Sequence, residues 1–323
     1  MSGRDSMKDR TYLEKDYNRI KKKYNLKKVN SRNRFLNKFI KNESIVGHWN
    51  LNGKTNDVRT NKLAVITGFS LSGKLHLGNK LALDIANSFS KKGAKLFISI
   101  SDSEAILTRN PPKVINTYFN AFTKDLTKSD ISLRKAEIYL HSDNKKVQSL
   151  LLKILRILKY SDFKRIYGKN IDLPEIFAIS NMMADVFYPF DKGYRQAVVI
   201  LGIDEIKHAE SIIFLSKKLR LEEPIFLFTK ILNGLKKGKM SKSKEEENIL
   251  ISDKPEVSKR KLIKNSLTRK FKNICDEPAH QIARWCLNIS KKKLDKLSKD
   301  LSYKEFVNHI GSRLEGYYKN GFK

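Results

Sequence analysis

Apolar residues in this chain fall either in short unbroken runs or in longer stretches of helical spacing, and the two kinds alternate. Leu63-Ala-Val-Ile-Thr-Gly-Phe69 is a run of the first kind. It is followed by Leu81, Ile85 and Phe89 at helical spacing, with Ala82 and Ala86 beside them. Gly93 stops that helix, and Lys95-Leu-Phe-Ile-Ser-Ile100 reads as a second strand. Residues 63 to 100 therefore predict a βαβ unit with parallel pairing. Ala197-Val-Val-Ile-Leu-Gly202 predicts a buried parallel strand, 204 to 220 a helix, and Pro224-Ile-Phe-Leu-Phe228 another strand. From Pro111 to about Gly168 the spacing is helical, including an amphipathic run from Val147 to Tyr160. Beyond Pro255 everything reads as helix, around 258–270, 280–289 and 304–318. The pattern is that of an α/β fold with a parallel sheet, a helical insertion and an α-helical C-terminal domain.

Composition adds a partner to this picture. Sixty-six Lys and Arg stand against 34 Asp and Glu in 323 residues, a net charge of +32. That excess is beyond what solubility requires and points to a polyanion, with nucleic acid as the candidate. A lysine bias spread along the whole chain accounts for part of it. Residues 1–33 are lysine-rich, with weak periodicity at Tyr12, Tyr17, Ile20 and Tyr24, and read as a basic N-terminal arm. Cys275 and Cys286 lack the paired spacing of a zinc site or redox motif and read as reduced thiols. No apolar run approaches the length of a membrane span and no signal-peptide core is present, so the expectation is a cytoplasmic protein without membrane attachment.

Two strings carry the chemistry. Gly73-Lys74-Leu75-His76-Leu77-Gly78-Asn79 lies between the first strand and its helix, where His76, backbone N–H groups and the helix dipole can meet a phosphate. Gly73 supplies the turn, Gly78 lets a ring approach the backbone, and Asn79 can bond a ribose or phosphate oxygen. Alone this string is a solvated loop as readily as a site. Gly238-Lys239-Met240-Ser241-Lys242-Ser243 follows the last strand and sets two ammonium groups three residues apart, within reach of one pyrophosphate. A lone lysine-rich loop is ordinary surface, but the two strings in this order on a parallel sheet point to activation of a carboxylate with ATP.

On these strings the chain resembles the class I aminoacyl-tRNA synthetases, and most closely their archaeal-type tryptophanyl branch. The resemblance runs from about residue 35 to the C-terminus. It extends over Phe39 to Asn50, Gly68-Phe69-Ser70-Leu71-Ser72, Ser101-Asp102-Ser103-Glu104-Ala105, Tyr167-Gly168, Met183-Ala184-Asp185-Val186 and Gly202-Ile203-Asp204-Glu205. It implies a Rossmann-type catalytic domain at 34–254 with a helical insertion at about 105–195, and a tRNA-binding helical domain at 255–323. It implies ATP contacts from Gly68, Ser70, Gly73, His76, Gly78, Asn79, Gly202, Asp204, Lys239, Met240, Ser241, Lys242 and Ser243. His76, Asn79, Lys239 and Lys242 would be the catalytic groups, with Mg²⁺ carried by ATP and no metal ligand from the protein. Ile66, Ser99, Glu104, Met182, Asp185 and Glu205 would line the amino-acid pocket. Tryptophan, tRNA(Trp) and a second copy of the chain are the implied partners.

The departures fall in that pocket. Glu205 replaces a Gln, Met182 stands where a Gln is common, and Ile66 and Ser99 stand where one tryptophanyl branch has Tyr and Gln. Two readings of Glu205 stand side by side: a contact to the substrate's ammonium group or ring N–H, or an acid in a helix first turn. Asp102 and Asp185 either hold the amino group or cap and orient elements, and His208 reads as a packing or pairing residue. Tyrosine–tRNA ligase and an inactive RNA-binding paralogue are the competing functions.

Overall fold

The computed structural model describes residues 10–29, 35–36, 43–51, 60–108, 112–129, 131, 135–236, 238–242, 245–267 and 273–322. Six strands, β1 (Ile45–Trp49), β2 (Leu63–Ser70), β3 (Lys95–Ser101), β4 (Glu137–Leu140), β5 (Gln196–Gly202) and β6 (Ile225–Thr229), form one sheet in the order β1-β6-β5-β2-β3-β4. All neighbours are parallel except β1 and β6. Chain order reverses at β2: the chain steps outward through β3 to β4 and then returns to lay β5 on the other side of β2. In a parallel sheet such a reversal opens a crevice beyond the carboxyl ends of the two central strands.

The strands read as continuous apolar runs because both faces are covered, yet their side chains still alternate. Ala64, Ile66, Phe97, Val199 and Phe228 belong to one buried cluster, and Leu63, Val65, Leu96, Ile98, Val198 and Leu227 to the other. The first face is packed by α7 (Leu173–Asp191) through Met183, Ala184 and Phe187. The second is packed by α2 (Leu77–Ser90) through Leu83, Ile85, Ala86 and Phe89, and by α4 (Pro112–Lys128) through Phe122 and Leu126. Between β3 and β5 the chain also forms α3 (Asp102–Thr108), α5 (Lys145–Ile157) and α6 (Tyr160–Tyr167). Asp172 starts α7 with a capping box: the Glu175 N–H donates to Asp172 Oδ1 at 3.0 Å, and the Asp172 N–H to Glu175 Oε2 at 3.4 Å.

Two strands depart from the expected pattern. β4 interrupts the stretch from 111 to 168 that reads as helix, and β1 was not expected at all. Four or five residues show too little periodicity to declare a strand, and each here is an edge strand completed by a partner far away in the chain.

The N-terminal segment, expected as an arm, is over its described part folded onto the body. Tyr12 and Tyr17 are buried, α1 (Glu14–Lys23) follows, and the Tyr12 N–H donates to Asn233 Oδ1 at 2.8 Å while Asn233 Nδ2 returns a bond to Tyr12 O at 2.9 Å. After α8 (Ile206–Leu219) and β6 come α9 (Pro255–Ser266), α10 (Pro278–Trp285), α11 (Lys291–Asp300) and α12 (Tyr303–Lys319). The lysine-rich α11 lies within the stretch that reads as helix but outside its three apolar segments, Leu294 being its one buried residue. Among the described residues no helix is long and apolar enough to cross a membrane.

Candidate active site

Both strings sit at the crevice between β2 and β5. β2 ends at Ser70, the chain turns through Gly73, and His76 is the N-cap of α2. The His76 N–H donates to Asn79 Oδ1 at 3.1 Å, so Asn79 closes the helix start rather than pointing away from it. Gly78 is bare for a local reason: a Cβ there would stand 3.0 Å from the His76 ring. His76 is buried, and its Nδ1 has no partner among the described residues. Burial, reinforced by Lys242 and Lys239, pushes its pKa down to about 3, so the ring is a neutral hydrogen-bonding group at pH 7.

The second string follows a tight excursion from Leu232 to Met240. The Met240 N–H donates to Leu232 O and the Gly234 N–H to Gly238 O, both at 2.9 Å, and Gly238 takes φ +71°, a conformation that favours glycine. The loop then crosses onto the first string. A Cβ on Gly73 would lie 2.5 Å from Lys242 O, so only glycine admits this approach. Lys242 Nζ donates to Ser70 O at 2.5 Å. Lys74 pairs with Glu245 at 2.9 Å, the Leu77 N–H donates to Ile249 O at 3.0 Å, and the Ile251 N–H to Leu75 O at 2.9 Å. Asn248 braces the loop by accepting from the Ser241 N–H at 3.3 Å and donating to Ser241 O. Met240 is buried beneath it. Ser243 lies outside the described residues.

On the β5 side, the chain leaves Gly202 into the turn Ile203–Glu205. Lys239 pairs with Asp204, so the two lysines rest on opposite lips of the crevice, Lys239 beside β5 and Lys242 beside β2. Glu205 accepts the Gly202 N–H at 3.2 Å, the local capping role of a first-turn acid. Its side chain reaches the solvent of the cleft, but protein surrounds it closely. Desolvation and the neighbouring Asp204 push its carboxyl above the ordinary range, against the pull of Lys239.

The expected pocket residues lie further along the sheet. Ile66 and Ser99 are buried on the α7 face, Met182 is half-buried on α7, and Glu104 sits on α3 within electrostatic reach of Glu205 and of His141. Gly68 is bare because its Cβ would stand 2.5 Å from Ser99 Oγ. Asp102 is buried and accepts the Ser142 N–H at 3.2 Å, tying the ends of β3 and β4. Asp185 accepts from Tyr139 OH at 3.0 Å on one oxygen and faces His141 Nε2 at 2.8 Å on the other. Burial would lower the His141 pKa, but the charge and hydrogen bond of Asp185, with Asp102 and Glu104, raise it. Tyr139 and His141 escape sequence reasoning because β4 does. His208 Nδ1 pairs with Tyr167 OH at 2.8 Å.

A family profile for class I tRNA synthetases (W and Y) matches residues 58–316. The chain belongs to that family. Two archaeal relatives are named tryptophan–tRNA ligase. The one from Methanocaldococcus jannaschii is 28% identical over 237 residues, 69% of this chain and 64% of its own length. The one from Methanopyrus kandleri is 27% identical over 265 residues, 77% of this chain and 70% of its own. The aligned part of the chain thus spans about two thirds of the length of these relatives.

The fold is also that of tryptophanyl-tRNA synthetase from Aeropyrum pernix, with a TM-score of 0.80 at 22% identity over 95% of this chain and 92% of that one. Tyrosyl-tRNA synthetase from the same organism gives 0.68 at 17% identity, over 80% and 84%. As a member of this family the chain has a Rossmann-type sheet. A cavity of about 520 Å³ lies apart from it, behind α2, where Lys80 is already paired with Asp84 at 2.5 Å.

Proposed function

We propose that this chain is a tryptophan–tRNA ligase, activating tryptophan with ATP to tryptophanyl-adenylate and transferring it to tRNA(Trp). The observation that carries the reading is the crossing of the two strings, which places His76, Lys239 and Lys242 around the crevice at the sheet's switch point. The names of the archaeal relatives favour tryptophan.

Activation needs no protein nucleophile. The amino-acid carboxylate attacks the α-phosphorus in line, and the protein contributes position and charge. Lys239 and Lys242, held on opposite lips by Asp204 and Ser70 O, are placed to leave those partners for the phosphates, following charge that grows on the leaving pyrophosphate. Neutral His76 donates a hydrogen bond without competing as a fixed cation. Mg²⁺ would enter with ATP, whose phosphate oxygens supply its ligands.

On the other side, Glu104 and Glu205 face the place of the ammonium group. The basic surface would hold tRNA phosphates, and the helices beyond Pro255 would reach its bases. Exposed Leu152 on α5 and Leu173 on α7 suit burial against a second copy, and the cytoplasm is a compartment that holds the reaction's partners.

Glu205, Met182, Ile66 and Ser99 keep tyrosine–tRNA ligase as the competing enzyme. Charging of tRNA(Trp) and tRNA(Tyr) transcripts with labelled tryptophan and tyrosine tests the choice. Tryptophan on tRNA(Trp) is the expected product; tyrosine on tRNA(Tyr), or no charging of either, contradicts the proposal.

A further inference from the structure

Sheet register sets Gly68 opposite Ser99 and Ser99 opposite Tyr139. Paired positions share a face, so the three form one row across β2, β3 and β4, on the face that α7 covers. The first two are small, and the row is low until it meets the half-buried ring of Tyr139. That ring is fixed at both ends. Its hydroxyl donates to Asp185 Oδ1 at 3.0 Å, and Tyr188 packs edge-on against it with centroids 5.4 Å apart. Asp185 is itself held by His141 Nε2 at 2.8 Å, with both side chains almost fully buried. The carboxylate thus uses both oxygens to hold protein groups. Buried ionic groups are retained only when paired, and a pair spent on one tyrosine hydroxyl marks that ring as a surface whose position matters.

We propose that Tyr139 is a specificity-determining residue of the amino-acid pocket, the wall against which the substrate's aromatic side chain packs, and that Asp185 and His141 are positioning residues that fix it. This rests on the reading of the cleft as an amino-acid-activating site. An aromatic wall opposite an aromatic ligand adds edge-to-face attraction to area burial. Ile66, Ser99 and Met182 bring no ring of their own, and Tyr188 and Phe97 pack behind Tyr139 rather than in its row.

Calorimetric titration of the full chain with L-tryptophan, L-tyrosine and MgATP tests it. Tyr139→Leu should weaken tryptophan binding about tenfold, the loss of one ring pair, and leave MgATP binding unchanged. Tyr139→Phe keeps the ring and loses only its anchor, so about a threefold weakening is expected, and it serves if the leucine variant does not fold. His141→Ala should weaken tryptophan binding, and His141→Gln, which keeps a donor for Asp185, should restore it. Tryptophan binding as tight as wild type in Tyr139→Leu, MgATP affinity falling by the same factor, or a wild type that binds neither amino acid would each overturn the inference. Wild type that binds tryptophan through Tyr139 but exchanges no pyrophosphate would support it while contradicting the ligase reading.

Discussion

His76 and His141 are buried histidines beside the same cleft, one next to β2 and one past the end of β4, and their surroundings drive them in opposite directions. Burial with Lys242 and Lys239 pushes His76 down to about 3, whereas Asp185, Asp102 and Glu104 raise His141 although it too is buried. Each leaves Nδ1 without a partner among the described residues. The two surroundings differ in sign: Lys239 and Lys242 act on His76, and Asp185, Asp102 and Glu104 on His141. A triphosphate and an ammonium group are the two ends of an amino-acid activation complex, and under the proposed function each would meet the region of opposite sign.

Breaking the cationic half should have the largest effect. Lys242→Ala removes a charge contact made in the transition state and should lower amino-acid-dependent pyrophosphate exchange by about 100-fold or more, the equivalent of about 3 kcal/mol, with tryptophan binding nearly unchanged. Stopped-flow or exchange rates at saturating tryptophan measure it, and near-normal rates would remove the loop from catalysis.

Glu205, on the β5 lip beside Lys239 and Asp204, should respond differently. Glu205→Ala is expected to raise the tryptophan KM about tenfold while leaving the ATP KM unaltered, and Glu205→Gln, which keeps an acceptor, should be mild. Unchanged KM in both variants would assign Glu205 to the Gly202 cap alone.

Smaller still is the effect of pH on stability, which separates the two kinds of histidine. His48 and His280, like His76, are buried and pushed down, each to about 4. Below pH 6.5 the unfolded chain binds protons at these sites and the native chain does not, so their burial costs stability as pH falls toward 4, about 1–2 kcal/mol each between pH 6.5 and 5. His141 has the opposite sign: its stabilisation is present below the unfolded pKa and is lost as pH rises through its raised value. Urea unfolding at pH 7 and pH 5 should show a net loss at the lower pH, smaller in His280→Gln. Equal stability at both values would contradict the assigned burial.

The same contrast explains what the sequence makes legible. The two strings are contiguous in sequence, and β2, β3, β5 and β6 lie within a residue or two of their periodic patterns, whereas α2 starts at Leu77, four residues before its first periodic position. The crossing of Gly73 onto Lys242 and the clamp from Ile249 to Ile251 are tertiary contacts that no local pattern announces. The anionic half is assembled from Ser99, Tyr139, His141 and Asp185, on three elements brought together by sheet register and by α7. Its key strand has four residues, too few for a period of two to stand out from the surrounding helices. Asp185 carries no local sign that its oxygens are taken, so a ligand role and a positioning role look alike until its partners are seen.

If this cleft joins tryptophan to ATP, pyrophosphate exchange measured with each of the twenty amino acids should run with tryptophan well above all others; exchange driven by tyrosine alone, or by no amino acid, would contradict that function.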